Sequence, residues 1–525
     1  LAGDLEQRIQ EMTEARQNPD RLRLILVRVQ GRRAALSDAA GDEAGAAAAD
    51  DAALPVAELL ASRDPGNDEA QLVFSELLVR VGGRLIARQE LEAAGRAFRR
   101  ARELLAPIFE MRPNDGRVLE PLATATEGAG DLALETGRAD DARILFQELL
   151  ALRSSLARAT PADRGATRRL ATARLRLGET LLQLQRTAEA EPLLRDSRRA
   201  LEQLGGEAVR GELAIVIRLL GDAAARQARV AEALDAYRQA ELLGQALRNA
   251  APADPRWGLY LLAVHQAVGQ LQVAQRDRNA AIDALEKALA VVRDLRARAS
   301  GSTTDLRAEE VQILRRLSTQ YQERNDPEQA RRILEDLVRL GQEDLGADPN
   351  NTRVIDDLHQ VLVRLGSLHA SMSRPADALR AFRQGLEMLQ ILAARAPDNM
   401  DRQWALAGLN NQIAIAHIDL REPTRARDFL LPAMAQLERV VRSRPTDPRV
   451  RLDLVGTYLN WLGTYGDRLA ENRDEVTRVF NLAANLLEAL QSEAGLSSDQ
   501  RALVQRMLVT HQAFLDRLNA PRVDG

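Results

Sequence analysis

Five histidines, His265, His359, His369, His417 and His511, are the residues of this 525-residue sequence whose chemistry could hold a metal ion. His369 and His417 stand 48 positions apart. In a chain repeating with that period they occupy equivalent places, and stacked helices could bring the two rings towards one ion. Tyr321 stands 48 positions before His369, and a tyrosine in the same slot makes ordinary packing the preferred reading. No cysteine is present, which excludes disulfides, thiolate nucleophiles and thiolate metal sites. The only lysine, Lys287, follows Glu286, so the Gly-Lys-Ser/Thr of a phosphate-binding loop is missing. Neither His-Glu-x-x-His nor Gly-x-Ser-x-Gly occurs. The many carboxylates read as solvated faces or i,i+4 partners of arginine. No enzymatic reaction, cofactor or metal is expected.

Two other residue types could bind rather than react. Trp257, Trp404 and Trp461 could stack on a ligand, although helix-packing anchors are the simpler reading. The doublets Arg99-Arg100, Arg168-Arg169 and Arg331-Arg332 could meet phosphates. Each lies among acidic residues without interleaved aromatics, so no nucleic-acid partner is expected. The net charge of −4, against 72 basic and 76 acidic residues, describes a surface laced with ion pairs, not a nucleic-acid glove.

The elements that carry these residues are helices. Hydrophobic residues make up 45% of the chain but aromatics only 3%, and the remainder, rich in Ala, Leu, Arg, Glu and Gln, favours helix. Arginine in place of lysine fits a GC-rich genome, and hence a bacterial source. No run of 18 apolar residues occurs, so no membrane span is expected. Cysteine-free chains occur in every compartment, which leaves location open; the cytoplasm is the working expectation. The chain starts at Leu1 without a signal-peptide pattern, and Leu1–Arg16 reads as a helix already under way. A longer protein is therefore expected.

A repeat organises the helices. Small residues recur at Gly82, Gly130, Gly178, Gly221, Gly269, Ser318, Gly366, Ala414 and Gly463. Bulky residues recur at Phe98, Phe146, Leu194, Tyr237, Leu285, Leu334, Phe382, Leu430 and Phe480, at intervals of 48, 48, 43, 48, 49, 48, 48 and 50. Prolines 65, 113, 161, 252, 349, 397 and 445 close the units, usually beside Asp or Asn, and Pro19 after Gln17-Asn18 reads as an earlier copy. Proline cannot continue a helix, and Asp or Asn can cap the next one. Asp326-Pro327-Glu328-Gln329 carries a full helix-start signal. Val354, Leu358, Val361, Leu362, Leu365 and Leu368 form one apolar stripe.

The unit Leu365-Gly366-x-x-His369, Ala378-x-x-x-Phe382, Pro397 resembles the tetratricopeptide (TPR) signature Leu-Gly-x-x-Tyr, Ala-x-x-x-Phe, Pro, whose period is 34. Small residue to alanine is 12 positions here, as in the family; the segments Phe382 to Pro397 and Pro349 to Gly366 are each about seven longer. Seven residues are roughly two turns, which lengthen a helix and keep its apolar face nearly in register. The resemblance implies an all-α, right-handed α-solenoid of about ten antiparallel helix hairpins with a capping helix. The expected organisation is a lead-in helix (1–18), a degenerate first hairpin (19–64), the solenoid (65–493), and a C-terminal capping helix and tail (494–525). Gly205-Gly206, at the short interval, implies a trimmed helix. Gly41 to Asp51 reads as a degenerate turn or a mobile loop.

The resemblance also implies that first helices line a peptide-binding concave face, with contact residues flanking the small residue. Arg80, Arg176, Arg316 and Arg364 stand two positions before it; Arg218, Arg315, Asn411 and Asn460 stand three before. Arg176 has Glu179 as a partner and Arg218 has Asp222, whereas Arg315, Arg316 and Arg364 face Thr319 and Ser367. Arg315, Arg316, Arg364, Asn411, Asn460 and Trp461 are thus the candidate peptide-binding residues. Unpaired arginines suit an acidic segment or a free C-terminal carboxylate. The expected function is a non-catalytic protein-interaction scaffold, the sensing or regulatory region of a larger bacterial signalling or effector protein. A self-assembling structural adaptor is the alternative, and a part of an enzyme the weaker one.

Overall fold

The structure is a computed structural model and describes residues 2–14, 19–299, 304–466, 472–493 and 495–519. Leu1, Arg16, Gln17 and Asn18 lie outside the described residues. These hold 22 α-helices and no strand.

The chain divides into two compact units, 1–271 and 272–525. The first contains α1 (Ala2–Glu14) and five hairpins: α2/α3 (Asp20–Ala39, Glu43–Arg63), α4/α5 (Asp68–Ala87, Leu91–Met111), α6/α7 (Gly116–Glu135, Ala139–Ala159), α8/α9 (Arg164–Gln183, Thr187–Leu204) and α10/α11 (Arg210–Arg226, Val230–Ala250). The unit boundary falls within α12 (Pro255–Ala274). The second unit holds α13 (Arg278–Arg298) and four hairpins: α14/α15 (Thr304–Glu323, Pro327–Ala347), α16/α17 (Thr352–Ser371, Pro375–Arg395), α18/α19 (Met400–Asp419, Pro423–Ser443) and α20/α21 (Pro448–Gly463, Arg473–Gln491). It ends with α22 (Ser498–Asn519).

Each hairpin is built the same way. Most first helices run 20 residues and most second helices 21. A first helix ends in a tight turn through one left-handed residue, and the following N–H bonds five residues back, as Arg374 does to the His369 carbonyl at 2.9 Å. The second helix ends near proline, and the adjacent Asn or Asp caps the next hairpin. Asn67, Asp115, Asp163, Asn351, Asn399 and Asp447 all accept a backbone N–H of the helix they start. At the short interval α9 has 18 residues and α10 has 17, joined by a 3-10 turn at Glu207–Val209.

Packing within a hairpin follows from the small and bulky series. A Cβ placed on Gly366 would lie 2.5 Å from the Phe382 ring, and one on Gly130 would lie 2.6 Å from Phe146. Only glycine lets these aromatic rings seat directly on the neighbouring backbone. Phe98, Leu194 and Tyr237 sit equally close to Gly82, Gly178 and Gly221.

The Gly41–Asp51 expectation needs correction. Gly41 makes a turn at φ 75°, but a helix starts at Glu43 and buries Ala46, Ala47, Ala49 and Asp50. Asp50 is only 1% exposed and accepts from Arg80 at 2.9 Å and Arg84 at 2.6 Å. This paired carboxylate, not a loop, is why the Ala-rich stretch is ordered against α4. Phe514 of α22 is buried, with Leu503, Met507 and Leu508 partly covered beside it, so α22 seals the last hairpin.

Candidate functional site

In the second unit the residues around the small positions of α14, α16, α18 and α20 meet across neighbouring first helices. Arg315 on α14 bonds Asp357 on α16 at 2.8 Å. This corrects the expectation that Arg315 lacks a counter-ion: the acid comes from 42 residues further along the chain. Arg364 differs. Its guanidinium donates to Ser318 Oγ (3.1 Å), Thr319 Oγ1 (3.3 Å) and Gln322 Oε1 (3.4 Å), all neutral acceptors. Burial, and the repelling guanidinium of Arg315, hold its pKa below the ordinary arginine value. Arg316 is exposed and has no ion pair or hydrogen bond among the described residues.

Arg364 opens on a cleft of about 400 Å³ lined also by Gln322, Asn325, Ser367 and Ser371. Pro327, Val363 and Leu368 make up the rest of the wall, which holds a cation and no acid. Such an arrangement can accept a carboxylate or phosphate, because a desolvated guanidinium gains more from an ionised acceptor than from hydroxyls.

Asn411 and Asn460 are brought together, Asn460 Nδ2 donating to Asn411 Oδ1 at 3.0 Å, but they lie on α18 and α20. Trp461 is 1% exposed and packed in the core between α20 and its neighbours. It cannot touch a partner, and this corrects its place in the candidate set; a tryptophan next to a groove asparagine points a different way round the helix. Trp404 is the more accessible indole. It donates to Asp453 at 2.7 Å, and Arg449 lies 5.7 Å from its ring.

The histidine column packs. His417 is fully buried, its Nδ1 2.7 Å from Glu422 and its Nε2 3.2 Å from Arg383, so both ring nitrogens are engaged. Its ring also stacks on Phe429. His369 is 7% exposed, with Asp377 at 4.0 Å.

Sequence reasoning missed Gln322 and the hydroxyl of Ser318. A signal existed: Ser318 is the one hydroxyl in the small-residue series, and Gln322 lies one turn beyond it on the same face.

In the first unit the comparable face is acidic at α6 and α8. Asp131 lies among Glu127, Glu135 and Glu179, with Arg176 3.5 Å away. Burial, and then these carboxylates, outweigh Arg176 and push its pKa up to about 6. A proton held to higher pH in the folded chain means stability that is full below the ordinary value of 3.8 and lost as pH rises through about 6. The shift corresponds to roughly 3 kcal/mol unscreened. At a side chain 38% exposed, solvent screening leaves about 1 kcal/mol. Asp131→Asn mimics the protonated form, and Arg176 keeps Glu179 at 3.6 Å. Thermal melts should show the variant more stable than the parent at about pH 7.5 and equal to it at about pH 3.5. An equal gain at both pH values would sink this account.

The glycine-on-ring contact, repeated at 48-residue spacing in paired helices capped by Asp or Asn, is the structural content of the sequence signature. The chain is a helical repeat protein that resembles TPR proteins in this contact. No family model matches the chain, and no curated protein matches it. Among solved structures it is similar to the apo form of RapI, at 10% identity and TM-score 0.40, over 75% of this chain and 99% of that one. The C-terminal part of a TPR repeat-containing protein from Cytophaga hutchinsonii is similar at 13% identity and TM-score 0.38, over 62% of this chain and 98% of that one. YrrB, described as a TPR protein with an unusual peptide-binding site, is similar at 19% identity and TM-score 0.26, over 41% and 84%. At these values the likeness concerns the fold alone. Among the described residues no helix is long and apolar enough to cross a membrane.

Proposed function

We propose that the chain is a non-catalytic protein-interaction scaffold whose second unit binds an acidic peptide segment, or a free C-terminal carboxylate, at Arg364 and Arg316. The observation that carries this reading is a half-buried guanidinium with only neutral acceptors, opening on a cleft with no acid in its wall. Arg315 is neutralised by Asp357 and does not line this cleft. A regulatory or sensing role in a bacterial signalling or effector protein fits such a module. The sealing of the last hairpin by α22 weighs against end-to-end self-assembly.

Arg316→Ala with Arg364→Ala should leave circular dichroism and melting nearly unchanged, because Arg316 is exposed and unpaired and Arg364 loses only neutral bonds. Binding of a labelled glutamate-rich peptide with a free C terminus should weaken by about 2 kcal/mol, roughly 30-fold. Affinity of the parent should also fall as salt rises. Anisotropy titrations measure both, with an amidated peptide and a glutamine-substituted peptide separating the carboxylate sources. Equal affinity of parent and double variant would remove the site and leave the fold standing.

A further inference from the structure

A second cleft lies in the first unit, on the same series of first helices. It measures about 750 Å³ and is walled by α2, α4 and α6, with Arg112 at its rim. The volume is that of a typical ligand pocket, enough for a large side chain and its neighbours.

Nearly every charge in it is already matched. Arg28 pairs with Glu69, Arg80 with the buried Asp50, Arg112 with Asp68, and Arg117 with Asp115. Glu120 is held by Arg153 at 2.7 Å. Glu76, at the middle of the α4 wall, has no hydrogen bond or ion pair among the described residues. Its carboxyl sits above the usual carboxylate range because the cleft walls desolvate it, in spite of the pull of Arg80 and Arg28.

A second acceptor is created by Pro121, which lies inside α6 and lines the cleft together with Arg117. Proline has no N–H, so the carbonyl of Arg117, four residues back, loses its helical donor. Leu72, Val73 and Val79 line the same cleft and supply an apolar surface on α4. A carboxylate, a freed carbonyl and an aliphatic surface complement a planar cation on an aliphatic stem.

We propose that this cleft binds an arginine side chain of a partner polypeptide, flanked by aliphatic residues, with Glu76 as its counter-ion and the Arg117 carbonyl as its second acceptor. The site is separate from the one around Arg364 and has the opposite polarity. A scaffold built this way holds an acidic segment on one unit and a basic segment on the other.

The test uses the full chain and a labelled twelve-residue peptide carrying one arginine between leucine and valine in a Gly-Ser background. Anisotropy should report saturable binding. Replacing the arginine with citrulline, which keeps the shape and removes the charge, should weaken it at least tenfold. Glu76→Gln should do the same with unchanged circular dichroism, since Glu76 has no partner to lose. Pro121→Ala, which returns a donor to the Arg117 carbonyl, should weaken binding severalfold. The variant lacking Arg316 and Arg364 should bind this peptide as the parent does, which separates failure here from failure of the acidic-peptide site. Absence of saturable binding, tolerance of citrulline, or unchanged affinity in either cleft variant overturns the proposal.

Discussion

Phe382→Ala is expected to destabilise its part of the second unit by about 4 kcal/mol. The ring is 1% exposed and packs with Ala378, Leu386, Leu389, Leu406, Leu409 and Ile413, tying α17 to α18. Truncation removes the transfer energy of the ring and leaves a cavity that cannot collapse, because Gly366 has no side chain to move in. Gly366→Ala attacks the same contact from the other side. Its Cβ would meet the ring at 2.5 Å, and overpacking of this kind costs about 1–3 kcal/mol. In a repeat protein each hairpin is stabilised by its neighbours, so the damage should stay local. Hydrogen exchange should report lost amide protection in α16, α17 and α18 while α4 to α7 keep theirs. A uniform loss along the chain would contradict a repeat of locally stabilised units.

Glu310→Ala should cost about 3–5 kcal/mol, for an electrostatic reason. Glu310, on α14, is 1% exposed and accepts from Arg293 Nε at 2.8 Å and from Arg296, both on α13. Removing the carboxylate leaves two guanidiniums facing each other at the seam, and among the described residues only Arg293 has another acid, Asp336 at 2.7 Å. Replacing the trio with apolar residues of similar size should recover most of the loss, since the penalty arises from uncompensated charge and not from the missing bond. Exchange protection of α13 and α14 in the single and triple variants measures this. A triple variant no better than Glu310→Ala would mean that the pair contributes net stability.

The parts of the fold that were legible in the sequence depend on near-neighbour geometry. The spacing from Gly366 to Phe382, the stripe through Leu358, Leu362 and Leu365, and the capping residue Asp326 each report contacts within one hairpin or one turn. Each of them repeats along the chain. The site was less legible because its charges are balanced across hairpins. Arg315 finds Asp357, and Arg80 finds Asp50, through the stacking of helices 30 to 42 residues apart. Such pairings differ from one repeat to the next, so a column of arginines does not say which of them is free. Glu76 was invisible for the same reason: only the matching of its neighbours singles it out. Trp461 was misplaced because aromatic residues serve cores and surfaces equally, and a one-residue step along a helix is about 100° of rotation.

The left-handed residues between paired helices have a consequence for how such a chain can change length. They fall at Gly41, Gln89, Gly137, Gln185, Ala228, Arg276, Asn325, Ser373 and Arg421, with φ between 57° and 75°. Seven of the nine are not glycine and none is β-branched, so the turn is imposed by the bond five residues back and the packing around it, and several unbranched side chains are accepted there. These nine joints therefore share one backbone geometry regardless of what is written at them. An unequal crossover between two such joints would delete or duplicate one repeat of coding sequence and rejoin compatible ends. Recombination could thus lengthen or shorten the array in whole hairpins, while point mutation altered the charges on each one separately.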